Sequence, residues 1–295
     1  MKNQISIGDI PQILLKKQPT LVFILGGTDT GKTTLSKALA RTYLNHGLRV
    51  GLVDADLGQS TIGPPTTIGM MIAKDHLPAS FHTQSLYFVG NNNPVGQLTR
   101  VAVGSKLMVD ATFKAGADTV IFDSSGLIQP PYGLILKSSK LELLKPQIVI
   151  AIERTNELKP ILSWLAGCWS LEVLHVRPAK EVRRKSSLER KEYRQSQYKR
   201  YFQNASLKTF SLSELVLYPP DFLDGRMDPV GLLVGLQDAA WNTIAIGIIE
   251  SVSNKLISIY TPFPSQAKIC GLLAGYIKLL PSGIELGRIR ARQLF

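Results

Sequence analysis

The chain has 295 residues, 44% hydrophobic and 19% charged, which supports a sizeable buried core and excludes global disorder. Its formal charge of +12 points to a polyanionic partner, because lysine and arginine gain most from phosphates. The two cysteines, Cys168 and Cys270, exclude a disulfide framework and sit in no metal-type spacing, and no stretch reaches the roughly 18–20 apolar residues of a membrane span, so a soluble cytoplasmic protein without a membrane partner is expected.

Residues 1 to 17 alternate polar and apolar residues and lack the apolar core of a signal peptide. Leu21-Val-Phe-Ile-Leu25 is a short apolar run ending in glycines, as a buried parallel strand would be. It leads into Gly26-Gly-Thr-Asp-Thr-Gly31-Lys32-Thr33, which matches G-x-x-x-x-G-K-[ST] between a strand and a helix. The glycines let backbone N–H groups turn toward phosphate oxygens, and the helix start adds its partial positive charge. Gly27, Thr28, Asp29, Thr30, Gly31, Lys32, Thr33 and Thr34 are therefore expected to cradle ATP. Lys32 would reach the β- and γ-phosphates and the Thr33 hydroxyl would ligate magnesium. Residues 34 to 46 have helical spacing, with Leu35, Leu39 and Tyr43 on one face and Gly47 as the stop.

Val50-Gly-Leu-Val53 reads as the next strand, followed by the loop Asp54-Ala-Asp56-Leu-Gly-Gln59-Ser-Thr-Ile-Gly63-Pro-Pro65. In a parallel sheet the carboxyl ends of neighbouring strands face one crevice, which brings this loop beside the phosphates. Two acids are tolerable there if one helps hold magnesium and the other accepts a proton from an attacking hydroxyl; the alternative is a turn in which either caps backbone N–H groups. Further strands are expected over 86–89, 119–122, 148–152 and 171–176, with helices over 96–115, 134–144 and 158–165 between them. This alternation implies an α/β fold with a mostly parallel sheet covered by helices. Asp123 ends one of these strands, as a Walker-B acid on magnesium or as a turn cap.

Residues 177 to 200 hold ten basic and three acidic side chains, a net +7. A solvated helix usually balances its signs, so this helix-like stretch, over about residues 177–203, reads as anion-binding. After Asn204 the chain turns to short Val-, Ile-, Leu- and Gly-rich runs between turn signals. The expected division is a P-loop domain that includes this basic stretch over 1–205 and a small β-rich C-terminal domain over 206–295, which would either extend a nucleic-acid surface or cover the side of the first.

In this order and spacing the pieces resemble the polynucleotide 5′-hydroxyl kinases, whose eukaryotic members include a subunit of the pre-mRNA 3′-end cleavage complex and a kinase of ribosomal RNA processing. The matching residues are the P-loop, then Asp56-Leu-Gly-Gln59, Asp123-Ser-Ser-Gly126 at a T-x-G-W position, Glu153-Arg-Thr-Asn-Glu157, and a basic lid ending in Arg200-Tyr-Phe202. The resemblance implies transfer of the γ-phosphate of ATP to the 5′-hydroxyl of RNA or DNA, with magnesium. It implies Lys32 as the phosphate contact, Asp56 as general base, and Arg184 and Arg190 as a clamp on the transferring group. Magnesium would be held by Thr33, Asp54 and Asp123, and the acceptor by Gln59, Ser125, Tyr132 and Arg194.

Two departures stand out. Leu127 replaces the family's base-gripping tryptophan, leaving Tyr132 as a nearby aromatic that either stacks or is core. The N-terminal domain of the eukaryotic members has no counterpart before the P-loop, so a free-standing kinase is expected. Two other readings stay open: a non-catalytic ATP-binding scaffold for RNA processing, and a small-molecule enzyme of the dethiobiotin-synthetase type, whose P-loop also carries a Gly-Thr-Asp-Thr string.

Overall fold

The computed structural model describes residues 5–78, 83–166, 171–179, 181–220, 222–224, 227–263 and 267–289. Cys168 and Lys180 lie outside them. The elements in chain order begin with helix α1 (Ile10–Lys17), strand β1 (Leu21–Gly26), α2 (Lys32–Leu44), β2 (Val50–Ala55), β3 (Thr67–Ala73) and β4 (Ser85–Phe88). Then come α3 (Leu98–Lys114), β5 (Thr119–Ser124), α4 (Tyr132–Leu144), β6 (Ile148–Ile152), α5 (Lys159–Ala166), β7 (Glu172–Val176) and α6 (Ser187–Tyr201). The C-terminal part supplies β8 (Ser206–Ser211), β9 (Val216–Tyr218), β10 (Leu232–Gln237), β11 (Thr243–Val252), β12 (Leu256–Thr261), β13 (Gly271–Leu279) and β14 (Glu285–Arg288).

Five strands run parallel in the order β2-β5-β1-β6-β7. Both faces of β1 are covered: Leu21, Phe23 and Leu25 pack with α3, α4 and α5, while Val22 and Ile24 pack with α1 and α2. That is the period-two division of a central strand, and it explains why β1 is apolar at every position facing a helix.

The sheet as a whole is mixed, which corrects the expectation of a mostly parallel one. β3 returns antiparallel along β2 and β4 antiparallel along β3. The chain between β2 and β3 is only the acidic loop, with no helix to carry it back, so the next strand must reverse direction. Among the described elements before Asn204, helix α1 and strand β3 are those that residue patterning missed, and after it the patterning expected short strands without placing them one by one. The run Thr-Ile-Gly-Met-Met-Ile-Ala of β3 is buried on both faces and shows no alternation to reveal it.

The sheet continues across β4 into the C-terminal strands, through the pair Thr243–Leu86 and a hydrogen bond from the Phe88 N–H to the Thr243 hydroxyl at 3.0 Å. The order there is β4-β11-β10-β13-β14, with β12, β8 and β9 attached beside it. This part has its own core of Leu232, Val234, Leu236, Ile249, Ile257 and Leu272. Its other face carries α6, whose Tyr198, with the following Phe202, is buried against Phe88, Leu233, Ile246 and Leu273. The Ile246 N–H donates to the Tyr201 hydroxyl at 3.0 Å and fixes the end of the helix.

Among the described residues of the basic stretch, the α-helix covers 187 to 201, followed by a short 3-10 turn over Phe202–Asn204, which is less than the helix expected over about 177–203. Ser186 caps α6 by accepting from the Glu189 N–H, while the Glu189 carboxylate accepts from the Ser186 N–H, a reciprocal box. Residues 182 to 186 precede it without helical structure and cross the P-loop.

Candidate functional site

The P-loop lies between the end of β1 and the first turn of α2. Gly31 holds φ at +89°, a backbone state that only glycine adopts without strain. The Thr30 hydroxyl donates to the Gly27 carbonyl at 3.0 Å, and the Lys32 ammonium donates to the same carbonyl at 2.6 Å. Lys32 is thus folded back over the loop with its charge at the cradle. The first N–H groups of α2 have no side-chain cap and point to where phosphate oxygens belong. The turn after β5 closes against this loop: a Cβ on Gly126 would lie 2.8 Å from the Thr28 backbone nitrogen, so only glycine fits.

Sheet register delivers the acids. Asp54 of β2 sits opposite Asp123 of β5, and Asp123 is paired in turn with Ile24 of β1. The Thr33 hydroxyl donates to Asp123 Oδ2 at 2.6 Å. Asp123 Oδ1 is buried and takes no hydrogen bond. Burial pushes the Asp123 carboxyl above the usual carboxylate range, against the Lys32 ammonium and the Thr33 hydroxyl, which pull it down.

Asp54 uses both oxygens on the acidic loop. Oδ1 accepts from the Asp56 N–H at 2.9 Å, and Oδ2 from the Thr61 N–H at 2.6 Å, the Thr61 hydroxyl at 2.9 Å and the Ile62 N–H at 3.3 Å. Burial, and then the neighbouring Asp123 charge, raise its pKa. Asp56 Oδ1 accepts from the Gly58 and Gln59 N–H groups at 3.1 and 2.9 Å, while Oδ2 takes none of the loop's hydrogen bonds. The turn-capping alternative raised by the sequence is thus seen for both acids: Asp54 shapes the loop that carries Asp56, and Asp56 Oδ1 caps its next turn.

Two lysines of α4, Lys137 and Lys140, are fully buried beneath these acids. Lys137 donates to the Ser125 carbonyl at 2.5 Å, and the Lys140 ammonium sits 5.1 Å from the centre of the Phe122 ring. Burial lowers both amines, that of Lys140 to about 7. Sequence reasoning missed them, although their signal is present. Gly133, Leu136, Lys137, Lys140, Leu141 and Leu144 recur at helical spacing, so both lysines lie in the apolar stripe.

Two cavities flank the P-loop. One, of about 440 Å³, is lined by Gly27, Thr28, Gly126, Ile128, Arg154, Arg184 and Arg190. The other, of about 380 Å³, is lined by Lys32, Thr33, Thr34, Asp56, Gln59 and Tyr193 among others. Gln59 ties the acidic loop to the lid, donating from Nε2 to the Arg190 carbonyl at 3.2 Å, and the Tyr193 hydroxyl donates to the Ser60 carbonyl at 3.0 Å.

Lys32, Thr33, Asp56 and Gln59 thus line one cavity beside the P-loop and Arg184 and Arg190 the other, while Asp123 lines neither and is tied to the first through the Thr33 hydroxyl. Other expected contacts lie elsewhere. Arg194 is committed to Glu285 by a two-pronged ion pair at 2.6 and 3.0 Å. Ser125 is buried with its carbonyl taken by Lys137. Tyr132, 48% exposed at the start of α4, lines neither cavity. Leu127 packs against the core under α4, and the apolar side chain beside the P-loop is Ile128, 3.2 Å from where a Gly27 Cβ would stand.

The family model of the mRNA cleavage and polyadenylation factor CLP1 P-loop matches residues 26–204. The polyribonucleotide 5′-hydroxyl-kinase of Pyrococcus horikoshii is 34% identical over 212 residues, which are 71% of this chain and 57% of that protein, so the chain spans little more than half of that relative's length. Against the polyribonucleotide 5′-hydroxyl-kinase of Pyrococcus abyssi the match reaches 92% of this chain and 91% of that protein at 32% identity. The solved wild-type Clp1p–Pcf11p complex shares the fold, with a TM-score of 0.68 over 92% of this chain and 78% of that chain at 14% identity. A family match over residues 26–204, on a P-loop whose lysine, threonine and acids stand in this order, places the chain in the Clp1-related polyribonucleotide 5′-hydroxyl-kinase family.

Proposed function

We propose that this chain transfers the γ-phosphoryl group of ATP to the 5′-hydroxyl end of an RNA or DNA strand. The observation that carries this reading is the convergence of Lys32, Asp56 and Thr33, whose hydroxyl is bonded to Asp123, on one crevice that the arginine-bearing lid crosses. In the reaction the 5′-oxygen attacks the γ-phosphorus, its proton passes to Asp56, and the bond from the γ-phosphorus to the β–γ bridging oxygen breaks, releasing ADP. Asp56 suits the base role because two backbone N–H groups fix Oδ1 and leave Oδ2 to take the proton. Lys32 meets the charge of the β- and γ-phosphates, and Arg190 with Arg184 meets the charge on the transferring group.

The donor set fits magnesium. Thr33 and Asp123 offer hard oxygen donors, and the buried Asp123 Oδ1 lacks any partner. Among the described residues no cluster of three or more acids, histidines or cysteines forms a metal cage, which suits an ion held jointly by a few protein oxygens and the nucleotide. Bound there, magnesium would neutralise charge building on the β- and γ-phosphate oxygens. Asp54 contributes by holding the acidic loop.

The β-rich region over 206–295 is read as a domain that carries the lid helix, through Tyr198, Tyr201 and the Arg194–Glu285 pair. Among the described residues no helix is long and apolar enough to cross a membrane, and a cytoplasmic location is part of this reading.

Incubation with γ-labelled ATP and a 5′-hydroxyl oligonucleotide tests the proposal. Label on the oligonucleotide, lost in a folded Lys32→Ala variant, is the expected result. ATP bound with all label retained would make the protein a scaffold, and label on a small-molecule acceptor alone would make it another kind of P-loop enzyme.

A further inference from the structure

An acid occupies a loop built for anions. Asp29 lies within the P-loop in a left-handed backbone state, φ +53°, and its side chain is only 11% exposed. Unpaired, its carboxylate would repel the triphosphate that the same loop is shaped to hold.

The structure shows what this acid holds instead. Arg190 donates from Nη2 to Asp29 Oδ2 at 2.6 Å, and the Lys185 N–H donates to the same oxygen at 2.9 Å. Arg154, beyond the end of β6, donates to the Asp29 carbonyl at 2.5 Å. Two of the three donors belong to the lid segment, and one of them is the guanidinium assigned above to the transferring phosphoryl group. The Nε of Arg190 is buried without a partner. The guanidinium is thus anchored by one nitrogen at the rim of the cradle.

We propose that Asp29 is a positioning residue for phosphoryl transfer: it draws the lid segment onto the P-loop and aims Arg190 across the phosphate site before nucleotide binds. The inference rests on the kinase reading. An arginine on a free lid must be ordered during the reaction, whereas one already paired at the rim is ordered beforehand. The pairing also cancels the charge of Asp29, so the P-loop tolerates an acid without forfeiting the triphosphate. Losing the carboxylate therefore has two opposite consequences. Ground-state repulsion of ATP falls, and the clamp on the transition state loosens.

The test compares the parent with Asp29→Asn, Arg190→Gln and the double variant, all checked for native circular dichroism. Asp29→Asn should lower kcat between about tenfold and a hundredfold, with the KM for ATP unchanged or lower. In the Arg190→Gln background the same change should have little further effect, because Asp29 acts through Arg190. Asp29→Glu should restore part of the lost kcat. A merely structural Asp29 would raise the KM for ATP and lower stability without this split. An unchanged or raised kcat in Asp29→Asn, or an equal loss in the Arg190→Gln background, overturns the proposal.

Trypsin supplies a readout that needs no turnover. Without nucleotide, cleavage at Arg183, Arg184 and Lys185 should be faster in Asp29→Asn than in the parent, and equal rates overturn the proposal. If the parent labels no oligonucleotide, the kinase reading fails while this comparison still decides whether Asp29 holds the lid.

Discussion

Lys140 offers a direct measure of how the charges under the site are balanced. It is fully buried in α4, its ammonium has no hydrogen-bond acceptor, and burial holds its amine down from 10.5 to about 7, with the carboxylates of Asp56 and Asp54 pulling the other way. Between those two values the unfolded chain binds a proton that the folded chain does not. Stability therefore rises with pH across that window, and below about pH 7 the folded chain bears the full cost of the buried charge. At about 1.4 kcal/mol per pKa unit, the cost is about 4 kcal/mol near pH 7 and about 2 kcal/mol near pH 9. Lys140→Met keeps the side chain's bulk and removes its charge. The variant's gain over the parent should thus be larger near pH 7 than near pH 9 by about 2 kcal/mol. Urea unfolding of both proteins at the two pH values, with chelator and without nucleotide, reads the difference from the midpoints. Identical pH slopes would refute the reasoning. So would a variant less stable than the parent near pH 7, which would mean that attraction to Asp54 and Asp56 outweighs burial.

Asp56→Asn should keep nucleotide binding and lose on the order of 10²–10⁴ in transfer rate; activity within a few-fold of the parent would move the base elsewhere. Helix residues turn by roughly 100° per position, so Arg200 shares a side of α6 with Tyr193 and Gln197 while Lys199 points away. Arg200 lines a cavity of about 380 Å³ that shares Thr61 with the P-loop crevice. Arg200→Glu should flatten the dependence of log oligonucleotide affinity on log salt by about 0.7 or more, and Lys199→Glu should leave it nearly unchanged. Equal effects of the two would place the strand elsewhere. Arg194→Ala removes the cationic partner of Glu285, whose side chain is 14% exposed and would keep the 3.5 Å contact from the Asn92 amide, and should cost about 1–3 kcal/mol of stability by denaturant titration. Unchanged stability with a raised acceptor KM would return Arg194 to the acceptor site.

The P-loop was legible in the sequence because everything it needs is local. An apolar strand, glycines that turn N–H groups inward and a helix that starts at Lys32 are nearest-neighbour properties of residues 21 to 44. The acidic strand ends were legible for a similar reason, since parallel strands bring their carboxyl ends to one edge. Their pairing was not: that Asp54 faces Asp123, and that Asp54 spends its oxygens on the loop presenting Asp56, follows from lateral sheet register, which no single segment encodes. The buried lysines illustrate a different gap. Helical period placed Lys137 and Lys140 in the apolar stripe of α4, but residue type argued for solvent, and only packing against Phe122 and Ser125 decided between them. The basic excess of residues 177 to 200 was visible as charge, yet where each cation goes depended on distant partners. Arg190 meets Asp29 across 161 positions and Arg194 meets Glu285 across 91. A side chain's charge is a property of the sequence. Its partner is whichever opposite charge the folded backbone brings within hydrogen-bonding distance, and that distance exists only once sheet and lid are packed.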